Sequence, residues 1–479
     1  MNKHTKIVAT IGPSCEKKEI LEKMFLAGVN VARLNFSHGS YESHTQLINN
    51  IREVAEKIKK PIAILQDIQG PKIRIGIMPD AGVEIKEGKT VVINIGLKEY
   101  FNGEIPLAYP GLHKFIKIGD RILIDDGHAE VKVIKKIGAK VYCRVVEGWT
   151  IHSNKGLNFP DSHIDISILS DKDKKDIEFG VKMNVDIIAL SFVHSANDII
   201  QTRKYIALCE KKLKIKKDVS IFIVAKIERH EALKNIDEII EETDGVMVAR
   251  GDLAMEVNIS EMPLIQKRIV DKANYWTKPV IVATQMLDSM QNYLRPTRAE
   301  ITDVANAVID RADALMLSNE TATGKHPVEV IKTMAGIIQF TEQSEYSKTN
   351  MTDWSHNKKY SVSKAIAGVA PILAEKVDAK MILVASASGQ TGRLVSRFRT
   401  PIMVLVGIES ERGQRQLCLS WGIESFLLRE CKNVEELTKG FEKYVKDKGY
   451  VKKGDRAVLI AGEPVGMSGR VNLLDVKEF

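Results

Sequence analysis

Glu228 and Asp252 are the residues of this chain that most directly suggest a reaction. Both are acceptor-only carboxylates, carried in the segments Lys226-Ile227-Glu228 and Arg250-Gly251-Asp252. With no His or Cys in either segment, oxygen-only ligation suits a hard divalent cation, magnesium or manganese, rather than zinc. Lys226 lies two residues before Glu228, so on a strand both side chains leave the same face. An ammonium there would neutralise charge growing on an enolate or a transferring phosphoryl group; the alternative is a structural ion pair with Glu228. Gly251 lets backbone N–H groups approach an anion closely, or makes a tight turn into a helix. Arg33, Arg74 and Lys155 are cations suited to phosphate or carboxylate, although each alone reads as a surface charge.

These residues need elements that bring them together. Short β-branched runs alternate with amphipathic helical stretches, the cadence of parallel βα units. The expected strands are Lys6–Ile11, Asn30–Leu34, Pro61–Leu65, Asp186–Leu190, Val219–Val224, Gly245–Ala249, Pro279–Ala283 and Ala314–Leu317. Eight strands, each followed by a helix-length segment, predict an α/β fold built on a (β/α)8 TIM barrel. Polar groups gather just past seven of the eight strand ends: Arg33–Gly39, Gln66–Arg74, Ser191–Val193, Lys226–Glu228, Arg250–Asp252, Thr284–Met286 and Ser318–Glu320. Barrel enzymes keep their catalytic groups at that end.

The strand series breaks between the third and fourth members. There, glycines punctuate short alternating runs such as Ala129–Ile134 and Val141–Val146, predicting a small inserted β-barrel that acts as a lid. After about Gln343 the chain turns polar, and a further α/β unit is expected with a helix at Val362–Ala374 and strands Met381–Ala385, Ile402–Val406 and Ala457–Ala461. The expected division is barrel over 1–70, lid over 71–160, barrel again over 161–343 and a C-terminal α/β domain over 344–479.

Composition narrows the function class. The 479 residues are 44% hydrophobic and 28% charged, ordinary for a globular protein, with a formal net charge of +8. The basic residues are interleaved with acids, as in the run Glu210–Asp218, which reads as a solvated helix end, and no nucleic-acid recognition motif occurs. Five scattered cysteines without a C-x-x-C pair predict neither a disulfide framework nor a zinc site. The N-terminus lacks the apolar stretch of a signal peptide, and no segment is long enough for a membrane span. A cytoplasmic protein that contacts neither nucleic acid nor membrane is expected.

At this point the segments Lys6–Pro13 (KIVATIGP), Ala32–Gly39 (ARLNFSHG), Asp67–Arg74 (DIQGPKIR), Ala225–Glu231 (AKIERHE), Val248–Leu253 (VARGDL), Ala283–Leu287 (ATQML), Pro296–Ala307 (PTRAEITDVANA) and Met316–Ala322 (MLSNETA) together resemble the pyruvate kinase family. The resemblance runs in order over nearly the whole chain, which is far more specific than any single motif. It implies transfer of the phosphoryl group of phosphoenolpyruvate to ADP in glycolysis. It implies that Glu228 and Asp252 hold the divalent ion, Mg²⁺ or Mn²⁺. Arg33 and Lys226 would contact phosphate and enolate, with Gly251, Asp252 and Thr284 completing the substrate site. Thr284 would sit where the enolate is protonated, with Ser318 and Glu320 in a proton relay. Asn35, His38, Arg74 and Lys155 would serve the nucleotide.

Asn35, Ser37, Asp67 and the backbone of Ile68 match the family's monovalent-cation pocket. Potassium-requiring members carry a glutamate where this chain has Lys72, after a Thr-Lys pair in place of Ile68-Gln69. The Lys72 ammonium is therefore expected to supply the missing charge and make potassium unnecessary; the alternative leaves Lys72 in solvent and the pocket working. Ala254 and Asn319 stand where the family has glycine, and Val257-Asn258 replaces a proline-containing turn. In the C-terminal domain, Ser386, Ser388, Gly389, Thr391 and Arg393 fit a phosphate-binding loop for an activating effector, a sugar phosphate or nucleotide. The resemblance further implies a homotetramer, and no appended phosphohistidine-like domain is expected after Phe479. Two competing readings are a metal-dependent pyruvate-enolate lyase or aldolase, which needs no lid, Arg33 or Lys72, and a non-catalytic sugar-phosphate sensor, which would have lost Lys226 or an acid.

Overall fold

The computed structural model describes residues 3–479 apart from 163, 165–167, 216–218, 348–360 and 466–470. The end of the basic run at 216–218 and most of the polar stretch read as a domain boundary lie outside the described residues.

Eight parallel strands form a closed barrel: Lys6–Thr10, Val31–Asn35, Ala63–Asp67, Ile187–Leu190, Phe222–Ile227, Gly245–Ala249, Val280–Ala283 and Ala314–Leu317. Each pairs with its neighbours in chain order, and the eighth closes on the first with Lys6 beside Ala314. Both faces of every strand are buried, which is why the runs read as almost unbroken apolar sequence. Alternation still sorts them: Ile187 and Ala189 point into the barrel with Val8, Val31 and Met247, whereas Ile188 and Leu190 face the surrounding helices.

The third and fifth strands run two or three residues further than the apolar pattern suggested, ending at Asp67 and Ile227. The ladder continues because parallel pairing depends on backbone groups, and the polar side chains it carries inward find partners. Asp67 and Lys226 thus belong to rigid strand ends rather than loops. Helices follow the rim segments promptly. Ser40, Ser170 and Thr297 each begin a helix with a reciprocal capping box, at Tyr41–Lys57, Asp171–Lys182 and Arg298–Ile309.

The insert has its own apolar core, including Ile93, Ile122, Val131, Val141 and Val145. Its six-stranded sheet runs from Leu157–Asn158 through Arg121–Ile124, Ala129–Ile137, Lys140–Glu147 and Thr90–Ile95 to Glu104–Leu107. Residues 74 and 75 bridge its two edges, Arg74 to Gly156 and Ile75 to Leu107, and so close the ring. A two-stranded ribbon, Val83–Ile85 with Trp149–Ile151, completes it.

The C-terminal unit is a five-stranded sheet ordered Ile423–Leu427, Met403–Ile408, Ala379–Ala385, Arg456–Ala461 and Leu473–Glu478, the last antiparallel. Its two edge strands were not foreseen. Ile-Glu-Ser-Phe-Leu and Leu-Leu-Asp-Val-Lys-Glu are only half apolar, as edge strands are, and their pairing is decided by the neighbouring strand. This domain packs on the N-terminal base of the barrel. Cys418 and Leu419 join the apolar cluster of the barrel interior, and Arg415 reaches the buried Asp186 at 2.7 Å. Among the described residues no helix is long and apolar enough to cross a membrane.

Candidate active site

Lys226, the penultimate residue of the fifth strand, is the hub of the rim. Its ammonium lies 2.7 Å from Ser191 Oγ, 2.8 Å from Glu228 Oε1 and 3.1 Å from Asp67 Oδ1. Lys226 and Glu228 do share a face, as their spacing required. Asp67 in turn accepts from Arg33, whose Nη2 is 2.7 Å away, and Arg33 Nη1 donates to Thr10 Oγ1 at 2.8 Å. Glu228 Oε2 accepts the Phe192 amide at 2.7 Å. The first five strands except the fourth contribute side chains that touch one another, and the fourth contributes Ser191 just past its end.

Electrostatics follow from this packing. Burial opposes the charge on Lys226, but Asp67 and Glu228 outweigh it and hold the amine above its ordinary range. Burial likewise opposes ionisation of Asp67, and Lys226 and Arg33 overcome it, keeping that carboxyl below its usual range. Glu228 is different. Burial, with Asp252 nearby, lifts its carboxyl above the ordinary value against the pull of Lys226.

A buried carboxylate whose ionisation burial and the neighbouring Asp252 oppose favours a cation beside it, and the oxygens of Glu228 and Asp252 suit a hard divalent ion. Among the described residues no cluster of three or more His, Cys, Asp or Glu forms. Glu228 and Asp252 would leave positions on such an ion for substrate oxygens and water.

Thr284 follows the seventh strand with φ +71°, and Gln285 follows with φ +51°. A β-branched residue in the left-handed region is strained, and the contacts around it show what imposes the strain. Arg250 donates to the Thr284 carbonyl at 2.6 Å and to the Ala283 carbonyl at 3.2 Å, while pairing with Asp303 at 2.8 Å. Thr284 Oγ1 accepts the Gly251 amide at 2.9 Å. Glu320, buried, accepts the amides of Ser318 at 2.7 Å and Leu287 at 3.3 Å, and burial lifts its carboxyl above the ordinary range. It therefore braces the loop after the seventh strand through backbone, without a side-chain contact to Thr284.

Both comparisons by sequence and by fold point one way. The model of the pyruvate kinase barrel domain matches residues 2–331, and that of the pyruvate kinase alpha/beta domain matches residues 364–477. The chain is 39% identical to pyruvate kinase 2 of Synechocystis sp., over 99% of this chain and 79% of that one. It is 38% identical to the pyruvate kinase of Thermococcus litoralis, over 98% of both chains. The crystal structure of a pyruvate kinase from Cryptosporidium parvum superposes with a TM-score of 0.92 at 34% identity, covering 99% of this chain and 96% of that one. The chain belongs to the pyruvate kinase family.

Within this pyruvate kinase fold, the remaining sequence-derived residues fall into two groups. Near the hub, Asn35 Oδ1 accepts the Ser37 amide at 3.1 Å, and Ile68 offers its carbonyl to Ser191 at 2.7 Å. Lys72 is partly buried with its ammonium 3.4 Å from Asp252 Oδ1. Its stem fills the space over Gly156, where an added Cβ would lie 2.8 Å from Lys72 Cε. Further out, His38 is exposed, Arg74 donates to the Asn154 carbonyl at 2.9 Å, and Lys155 pairs with Asp125 at 2.9 Å. These two cations come from the insert, which meets the barrel through Asn158 and Glu256, 3.2 Å apart, and through Gly127 beside Met255.

Thr10, Ser191 and Arg250 were not assigned roles from sequence. Ser191 and Arg250 carried one available signal, their place just past a strand end; Thr10 ends a strand in an apolar run and carried none.

The effector-loop residues separate. Ser386, Ser388 and Thr391 line a cavity of about 280 Å³ in the C-terminal domain, with Ser361, Ser363 and Lys364. Gly389 makes the turn into the helix Gln390–Ser396 with φ +78°. Arg393 does not line that cavity. Its guanidinium turns to the barrel base, 5.2 Å from the Phe222 ring, donates to the Ser388 carbonyl at 3.1 Å and lies close against Gly389.

Proposed function

We propose a division of labour among the rim residues for the reaction of this family, transfer of the phosphoryl group of phosphoenolpyruvate to ADP. The observation that carries it is the Lys226 hub, where one buried ammonium is fixed by three oxygens from three strand ends. Arg33, steered by Asp67 and Thr10, presents its remaining N–H groups to the phosphate. Lys226 offers a positive charge between enolate and phosphoryl group, held in place before reaction so that no reorganisation is needed. Thr284 Oγ1 accepts from Gly251, which leaves its own hydrogen to be donated toward the enolate carbon. Glu320 and Ser318 hold the Thr284 loop. His38, Arg74, Lys155 and Asn35 serve the nucleotide. A divalent cation held by Glu228 and Asp252, when bound, stabilises charge on the substrate oxygens.

Lys72 supplies the fixed positive charge that a monovalent cation would otherwise bring beside Asn35, Ser37, Asp67 and Ile68, and its contact with Asp252 supports this reading. The enzyme is then independent of potassium. The insert over 71–160 works as a lid between the barrel halves at 1–70 and 161–343, and the domain over 344–479 binds a phosphate-bearing effector at Ser386, Ser388 and Thr391. The assembly is a cytoplasmic homotetramer.

The test is pyruvate formation from phosphoenolpyruvate and ADP with Mg²⁺, in buffer stripped of potassium and then with potassium restored. Comparable activity in both is expected. Activity only with potassium overturns the role of Lys72, and no pyruvate in either overturns the roles given to the rim.

A further inference from the structure

The C-terminal domain and the barrel base meet at a junction that the protein's own groups leave unsatisfied. Four buried side-chain atoms there lack a hydrogen-bond partner among the described residues: Thr277 Oγ1, Arg393 Nη1, Arg399 Nε and Ser420 Oγ. All four residues line one small cavity of about 10 Å³, which is room for a single water-sized sphere. Thr277 precedes the seventh barrel strand, whereas the other three belong to the C-terminal domain. The cavity therefore bridges the two.

Its lining carries four cations, Arg393, Arg397, Arg399 and Lys278, against one carboxylate, Asp313. Arg399, only 8% exposed, has its two terminal nitrogens committed to Asp313 at 3.0 and 3.1 Å, which leaves Nε facing the cavity without a partner. Arg393 has no such counter-ion among the described residues. Its Nη2 serves the Ser388 carbonyl, and burial lowers its basicity to about 10 despite the field of Asp244. Asp244 itself is held by Arg203 at 3.0 Å. Lys278 in the same lining donates to the backbone carbonyls of Glu241 and Thr243. A buried guanidinium without an ion partner is among the more costly arrangements a protein can keep. The backbone is strained at the same place: Thr277 holds φ +61° and Arg399 φ +49°. For a β-branched residue that conformation persists only where surroundings impose it.

We propose that this junction binds a monatomic anion, chloride in ordinary solution, held by Arg393 Nη1–H and Arg399 Nε–H with the hydroxyls of Thr277 and Ser420. A water would satisfy the hydroxyls but leave the charge of Arg393 uncompensated. Chloride is somewhat larger than the water-sized space and needs a slight give of the lining, whereas a phosphate needs several times the room. The bound anion would pin Arg393, and through the Ser388 carbonyl the loop lining the larger cavity, to the base of the barrel.

Crystals grown in bromide in place of chloride test this directly. An anomalous peak between Arg393 and Arg399 is expected; density of a water alone, with no anomalous signal, overturns the assignment. In solution, the melting temperature is compared in chloride and in gluconate at equal ionic strength. The wild type is expected to melt about 1–3 °C higher in chloride, and Ser420→Ala and Arg393→Met to lose most of that difference. An equal difference in all three proteins means a general salt effect and overturns the site. Should Arg393→Met fail to fold, Ser420→Ala and the bromide measurement decide the question without it.

Discussion

Replacing Lys226 with methionine removes one charge while keeping most of the buried stem. The ammonium is fixed at 2.7–3.1 Å from three oxygens, so its position relative to bound substrate is set before reaction. A unit charge about 4 Å from charge developing in the transition state, at an effective dielectric of about 20, contributes about 4 kcal/mol. That corresponds to a fall in turnover of about 10³-fold, with 10²–10⁴ as the roughly expected range. Glu228 and Asp252 are untouched, so divalent-ion affinity is expected to hold or rise as the local charge becomes more negative. Asp67 keeps Arg33 as a partner, but among the described residues Glu228 keeps only the Phe192 amide, so some loss of stability is expected as well. Two assays separate the effects: steady-state pyruvate formation at saturating substrates, and Mn²⁺ titration by electron paramagnetic resonance on protein shown folded by its melting curve. Turnover within about tenfold of wild type in a folded variant would refute the placement of Lys226 beside the reacting atoms.

Four further outcomes are expected. Lys72→Glu should turn a potassium-independent enzyme into one activated at least about tenfold by potassium, read in the same pyruvate assay; unchanged ion dependence counts against Lys72. Arg250→Met releases the strained Thr284 carbonyl, and turnover should fall about 10–10²-fold with less change in KM, together with slower exchange of the pyruvate methyl protons. Burial raises the Glu320 carboxyl, so between its ordinary and folded values the native state binds more protons than the unfolded chain. Its contribution is therefore largest at low pH and is lost as pH rises through the folded value. Calorimetry of Glu320→Gln against wild type should show the variant gaining relative stability as pH rises above the ordinary glutamate value of about 4.3. Thr391→Val, at the cavity in the C-terminal domain, should weaken binding of phosphate-bearing effectors by about tenfold in isothermal titration.

Much of the architecture was legible because local and global preferences agree. Strands buried on both faces are written as apolar runs such as Val280–Ala283 and Ala314–Leu317, and nothing in their surroundings contradicts that. The pairing of Lys226 with Glu228 followed from a two-residue spacing on a strand. The edge strands Ile423–Leu427 and Leu473–Glu478 were invisible for the opposite reason. Half their side chains face solvent or a neighbouring element, so their own sequence does not demand a strand.

The sequence by itself determined the kinds of groups at the rim and the order in which the barrel strands deliver them, since chain order and a parallel barrel leave little freedom. Tertiary structure alone decided who touches whom. Asp67 and Lys226 are 159 positions apart, and Arg250 reaches the Thr284 carbonyl across 34. Arg393 shows the same limit from the other side. Its place in a serine- and glycine-rich loop suggested a ligand for the effector cavity. A long side chain goes where packing and charge across the domain junction take it, and here that is the base of the barrel, beside Phe222 and Arg399.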